Sequence, residues 1–262
     1  MRRLRVTVAA LVAVLATAVA GCGSGATDAG TEPDTRQPAE SITVFAAASL
    51  RSTFTELGRR FEASHPGTRV VFNFGGSSDL FTQLDQGAPG DVFASADTAN
   101  MTKARGAGLT AADPVNFATN VLTIAVPPGN PANITSFADL ARPDVHLVVC
   151  APQVPCGTAT RRVADAAGVR LSPVSEESSV TDVLGKVVTG QADAGLVYVT
   201  DVTAADGKVT GIPFPESAKV VNTYPIAVLN KSENREVAGE FVELVIGPEG
   251  RRVMSDAGFG TP

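Results

Sequence analysis

SITVFAAASL, residues 41–50, is a β-branched apolar run that passes through small residues into a helical pattern. Beyond Ser49, the apolar residues Leu50, Phe54 and Leu57 recur at helical spacing. This pattern predicts a strand, a tight turn and a helix, with Ser49 at or beside the N-cap. The first N–H groups of a helix and its positive dipole end favour negative charge. The stretch therefore predicts either an ordinary capped helix or an anion-binding turn.

A second strand-to-helix turn of the same type follows. Residues 69–74 form an apolar strand pattern, Gly75 and Gly76 supply the turn, and Ser77 precedes another helical pattern that begins at Leu80. Two such turns would lie at the carboxyl ends of parallel strands, where open α/β sheets bind ligands. The two serines are therefore candidates for one shared site.

Strand and helix patterns alternate along the rest of the chain. Strands are predicted near 91–94, 121–126, 146–150, 194–199 and 224–229, and helices near 98–107, 159–167, 179–189, 235–246 and 249–256. This alternation favours an α/β architecture with mostly parallel sheets.

Composition and charge exclude several classes of function. The 262 residues are 44% hydrophobic and carry a formal net charge of -6, so no basic surplus exists for nucleic acid. The two histidines, His65 and His146, have no neighbour at metal-ligand or triad spacing, and no Gly-x-Ser-x-Gly elbow occurs. A serine hydrolase using Ser49 or Ser77 would lack a base, so an enzyme is not expected.

The first 40 residues are typical of an exported lipoprotein. Three arginines precede an apolar run over 6–20, and Val19-Ala20-Gly21-Cys22 resembles the bacterial lipobox. We expect a signal peptide over 1–22, a lipid anchor on Cys22 and a flexible tether over 23–40. A simple cleaved signal is the alternative. The folded part would then lie at the outer face of the cytoplasmic membrane.

Two cysteines remain once Cys22 is assigned to lipid. Cys150 and Cys156 are six positions apart, and an even number in an exported protein favours a disulfide. Two buried thiols are the alternative. No third or fourth soft ligand lies nearby, so a metal site is not expected.

Five motifs in this order resemble the molybdate-binding proteins of ABC importers. They are VFAAASL at 44–50, FGGSS at 74–78, GAPGDVFASAD at 87–97, VPCG at 154–157 and GLVY at 195–198. The resemblance implies a type II periplasmic binding protein fold, in which two α/β lobes with mixed, mostly parallel sheets are joined by two crossovers that act as a hinge. By this likeness one lobe spans 41–120 with 222–262, and the other spans 121–221.

The resemblance also implies a ligand set without any charged side chain. The hydroxyl and N–H groups of Ser49 and Ser77, the backbone N–H groups of Cys156 and Val180, and the phenol of Tyr198 would hold a molybdate or tungstate ion. The family usually has a small residue such as alanine at position 156, which leaves a backbone contact possible here. We therefore expect a monomeric solute receptor without a cofactor that delivers its anion to an ABC permease. A receptor of the same fold for sulfate, phosphate or a small organic acid is the alternative.

Overall fold

A computed structural model describes residues 40–262. The predicted signal peptide, the anchor at Cys22 and all but the last residue of the predicted tether lie outside this described part. None of the helices within 40–262 has both the length and the apolar character that crossing a membrane requires.

Ten strands and eight α-helices follow one another along the described chain. The strands are β1 Glu40–Ala47, β2 Thr68–Gly75, β3 Val92–Ala94, β4 Val115–Asn120, β5 Leu122–Val126, β6 Leu147–Cys150, β7 Ser175–Glu177, β8 Ala194–Tyr198, β9 Thr210–Ile212 and β10 Asn222–Val228. The helices are α1 Arg51–Ser64, α2 Ser77–Asp85, α3 Thr98–Gly106, α4 Pro155–Ala167, α5 Val180–Val188, α6 Val199–Ala204, α7 Arg235–Ile246 and α8 Pro248–Asp256.

The strands form two five-stranded sheets, with the orders β2-β1-β3-β10-β4 and β7-β6-β8-β5-β9. In the first sheet β1 is parallel to β2 and β3, whereas β10 is antiparallel to β3 and β4. In the second sheet β6 is parallel to β7 and β8, whereas β5 is antiparallel to β8 and β9. The predicted mixed α/β sheets are confirmed, with antiparallel pairs as numerous as parallel ones.

Both faces of the first sheet are covered, which explains the continuous apolar run in β1. Ile42, Val44 and Ala46 belong to a core that includes residues of α1 and α7. Phe45 points to the opposite core, with Phe93 of β3 and residues of α2 and α3. Alternate side chains of a strand point to opposite faces, so a strand buried on both sides needs apolar residues throughout. The second sheet has its own core, to which every residue of β5 except Thr123 belongs.

The chain passes between the sheets at two neighbouring places. Between β4 and β5 only Val121 separates Asn120 of the first sheet from Leu122 of the second. The chain returns between β9 and β10, where Asn222 begins the last strand of the first sheet. Asn222 is the register partner of Asn120, so the two crossovers lie side by side.

The structure differs locally from the predicted elements. Helix α4 begins at Pro155 and not near 159, because proline is favoured at the first helical position, where its missing N–H costs nothing. Ser49 lies beside an N-cap, as predicted, because it belongs to a 3-10 turn, Ala48–Leu50, whose last residue is the N-cap of α1. The strands β4, β7 and β9 were not predicted, since none of them carries a continuous apolar run.

Candidate functional site

A small cavity lies between segments of the two sheets. Its walls include all five residues predicted to hold the anion: Ser49, Ser77, Cys156, Val180 and Tyr198. Its volume is about 10 Å³, which is near the space needed for a single water molecule. In this arrangement the cavity is too small for a bulky organic ligand.

Several helices begin at the cavity. Ser77 and Val180 are the first residues of α2 and α5, and Cys156 is the second residue of α4. Ser49 lies in the 3-10 turn that continues into α1. The N–H groups of a first helical turn have no partner within their own helix, and the dipole adds positive potential there. Four chain segments thus bring the N–H groups of a first helical turn to one cavity.

Two of the site hydroxyls accept a hydrogen bond from the protein itself. The N–H of Ala96 donates to Ser77 Oγ at 2.9 Å, and Asn222 Nδ2 donates to Tyr198 Oη at 3.0 Å. A hydroxyl has one proton to donate. Since the oxygens of Ser77 and Tyr198 are engaged as acceptors, their protons remain for a ligand.

The third hydroxyl, that of Ser49, pairs with the phenol of Tyr224 at 3.0 Å. Tyr224 is fully buried, and its ring packs edge-on against that of Tyr198. Burial raises the pKa of Tyr198 and of Tyr224 above the usual range of a phenol. Both phenols therefore keep their protons at neutral pH, and both serve as neutral hydrogen-bonding groups.

The cavity walls carry no charged side chain within the described residues. The nearest buried acid is Asp201, whose carboxylate accepts the N–H of Tyr198 at 2.8 Å and caps α6. Burial raises the pKa of Asp201 to about 7, against the opposing effect of this hydrogen bond. In residues 40–262, no cluster of three or more His, Cys, Asp or Glu side chains could hold a metal ion.

A disulfide joins Cys150, the last residue of β6, to Cys156 in the first turn of α4. The two Cα atoms are 5.7 Å apart. The bond closes the loop that leads into α4 and so restrains the N–H of Cys156 beside the cavity. The predicted pairing is the one in the structure.

Sequence patterns assigned no role in the site to three further residues around the cavity, namely Gly76, Asn222 and Tyr224. Gly76 lies so close to the second sheet's segments that an added Cβ would be 2.2 Å from the backbone oxygen of Ser178. Asn222 and Tyr224 support Tyr198 and Ser49 through the hydrogen bonds described above. A lone asparagine at the start of a strand has no periodic signal, so only the tertiary contacts reveal it.

Comparisons with known proteins agree with this architecture. The chain is 53% identical to the molybdate-binding protein ModA of Mycobacterium tuberculosis over the full length of both chains. It is 28% identical to the putative ABC transporter substrate-binding lipoprotein YvgL of Bacillus subtilis, over 98% of each chain. The solved periplasmic molybdate-binding protein of Azotobacter vinelandii superposes with a TM-score of 0.74 at 23% identity, covering 84% of this chain and 99% of that one. Residues 42–260 match the family described as bacterial extracellular solute-binding protein, and the chain belongs to that family.

Proposed function

We propose that this protein is an extracytoplasmic receptor that binds molybdate, and also tungstate, between two lobes and delivers it to an ABC-type permease. The observation that carries the proposal is the convergence of three hydroxyls and four helix starts on one uncharged cavity. The 53% identity to a molybdate-binding protein over the full chain supports the same ligand. The family is one of solute-binding proteins, so the chain is a receptor and not an enzyme.

Neutral donors suffice for a dianion if they surround it. Burying a charge is costly unless it is hydrogen-bonded, and bonds to a charged acceptor are roughly twice as strong as neutral ones. Ser49, Ser77 and Tyr198 supply hydroxyl protons, and the starts of α2, α4 and α5 supply N–H groups. A fixed cation in the site is unnecessary, which agrees with the acidic net charge of -6.

The same donors disfavour two of the alternative ligands. A phosphate that carries a proton needs an acceptor, and no carboxylate lines the cavity among the described residues. An organic acid usually recruits an arginine for its carboxylate, and no arginine lines it either. Sulfate is the remaining competitor, and it differs from molybdate in being smaller.

Calorimetric titration of the purified full-length chain with molybdate, tungstate and sulfate tests the proposal. Tungstate has nearly the size and the charge of molybdate, so we expect the two to compete for one site. The smaller sulfate cannot reach the donors of both lobes together and should bind far more weakly. Sulfate binding as tightly as molybdate, or no molybdate binding, would refute the assignment.

We also propose the lobe limits 41–120 with 222–262 and 121–221. Apart from Glu40 at the start of β1, the strands of the first sheet fall within the first set of residues, and those of the second sheet fall within the other. The paired crossovers at Asn120 and Asn222 would then act as the hinge on which the lobes open and close. The open form would release the anion, which would then pass to the permease.

The remaining part of the proposal is a monomer anchored by a lipid on Cys22. The lipobox-like order of residues supports the anchor, as does the similarity to the lipoprotein named above. Cys22→Ala should move the protein from the membrane fraction to the soluble one. Equal membrane association of the variant would contradict the anchor, and light scattering of the delipidated protein tests the monomer.

A further inference from the structure

The side-chain amide of Asn222 connects the two sheets at the cavity. Its Nδ2 donates to Tyr198 Oη at 3.0 Å, and Tyr198 ends β8 of the second sheet. The same nitrogen donates to the backbone oxygen of Ala96 at 2.9 Å, and Ala96 follows β3 of the first sheet. An amide nitrogen has two protons, and both are therefore used.

Ala96 extends this connection to a second site hydroxyl. Its own N–H donates to Ser77 Oγ at 2.9 Å. The buried side chain of Asn222 thus contacts the phenol of Tyr198 directly. Through its bond to Ala96, it also contacts the segment that orients Ser77. The bond to Ala96 stays within the first sheet, whereas the bond to Tyr198 joins the two sheets and so depends on their relative position.

We propose that Asn222 is a positioning residue for the oxyanion: by donating to the oxygen of the Tyr198 phenol, it directs the phenol's proton into the cavity and locks this donor when the lobes close. This inference rests on the proposed function. Asn222 does not touch the anion itself, and it acts through Tyr198.

The direction of the Tyr198 proton follows from the available acceptors. The phenol of Tyr224 is the neighbouring neutral group, since its ring packs edge-on against that of Tyr198 with 6.1 Å between the centroids. A bond to a dianion is charge-assisted and stronger than a bond between two neutral phenols. With the anion present, the proton of Tyr198 points to the anion, provided that the phenol oxygen of Tyr198 accepts the hydrogen bond from Asn222.

Replacement of Asn222 by aspartate gives a discriminating test, because aspartate has the same shape but only accepts. Its carboxylate would take the proton of Tyr198, so the phenol would present a lone pair to the anion. Once the repulsion between the added charge and the anion is subtracted, a residue that merely fills space would tolerate aspartate better than alanine. Positioning by donation predicts the opposite order, with Asn222→Asp binding molybdate more weakly than Asn222→Ala.

The experiment is a double-mutant cycle with molybdate, measured by calorimetry on the full-length chain. We expect Asn222→Ala to weaken binding about 10- to 100-fold in the wild-type background and less than about threefold in the Tyr198→Phe background. Asn222→Asp in the Tyr198→Phe background measures the effect of the added charge alone. The matched control is Asn100→Ala, which should bind molybdate normally. It removes a buried amide whose nitrogen donates to Asp97, in the same proposed lobe.

The outcomes separate the two hypotheses. If wild type binds no molybdate, the proposed function fails. If wild type binds it and Asn222→Ala is within threefold of wild type, or is equally harmful in both backgrounds, the positioning role is overturned. Unfolding midpoints measured without anion show whether each variant is folded, and the isosteric Asn222→Asp keeps the test available if Asn222→Ala is not.

Discussion

Gly76→Ala should block lobe closure while leaving each lobe intact. The backbone at Gly76 has φ -64° and ψ 135°, which alanine adopts without strain. The added Cβ would nevertheless lie 2.2 Å from the backbone oxygen of Ser178 and 3.4 Å from Cγ1 of Val154, both in the second lobe as proposed. Real Cβ atoms essentially never approach another atom within 3.0 Å, so the lobes must separate by at least about 0.8 Å.

This displacement sets the size of the effect on binding. If a hydrogen bond of about 2.9 Å is lengthened by 0.8 Å, its donor and acceptor are too far apart for the bond to stabilise the complex. An anion held from both lobes would lose at least two charge-assisted bonds, each worth roughly 1.5–3 kcal/mol. Molybdate binding by Gly76→Ala should therefore be weaker by about 100-fold or more.

Calorimetry with molybdate and thermal unfolding without it check both parts of this prediction. The anion-free protein should be as stable as wild type or slightly more so, since alanine reduces the entropy of the unfolded chain. Gly239→Ala, where an added Cβ meets nothing within 4 Å, is the control and should bind normally. Binding by Gly76→Ala within threefold of wild type would refute the reasoning from closure.

The remaining predictions concern hydroxyls, the disulfide and a buried acid. Ser49→Ala, Ser77→Ala and Tyr198→Phe should each weaken molybdate binding about 10- to 150-fold in calorimetry, and normal binding by all three would contradict the site. Reducing the disulfide should lower the free energy of unfolding by about 2 kcal/mol, because the closed loop is short; equal urea midpoints with and without reductant would contradict this. The pKa of Asp201 is about 7 in the folded protein against an ordinary 3.8, so the folded state keeps a proton that the unfolded chain loses. The free energy of unfolding should fall by up to about 4 kcal/mol between pH 4 and pH 7, and Asp201→Asn should flatten this slope in urea titrations.

Local signals made much of the fold predictable. The apolar run of β1 and the helical spacing after Ser49 predicted the first strand and helix, which the structure confirms. The motifs around Ser77, Cys156 and Tyr198 are contiguous in sequence, so their resemblance to a family could identify them together. Short strands such as β7 escaped prediction, because their pairing is set by neighbours and not by their own residues.

The sequence by itself determined the alternation of strands and helices, the small residues at the helix starts and the absence of charged side chains among the five predicted ligand residues. Only the tertiary structure decided which side chains support these motifs from a distance. Asn222 is 24 residues from Tyr198 and 126 from Ala96, and Gly76 meets Ser178 across the cavity. Such contacts depend on how two sheets approach each other, and no local propensity encodes that distance.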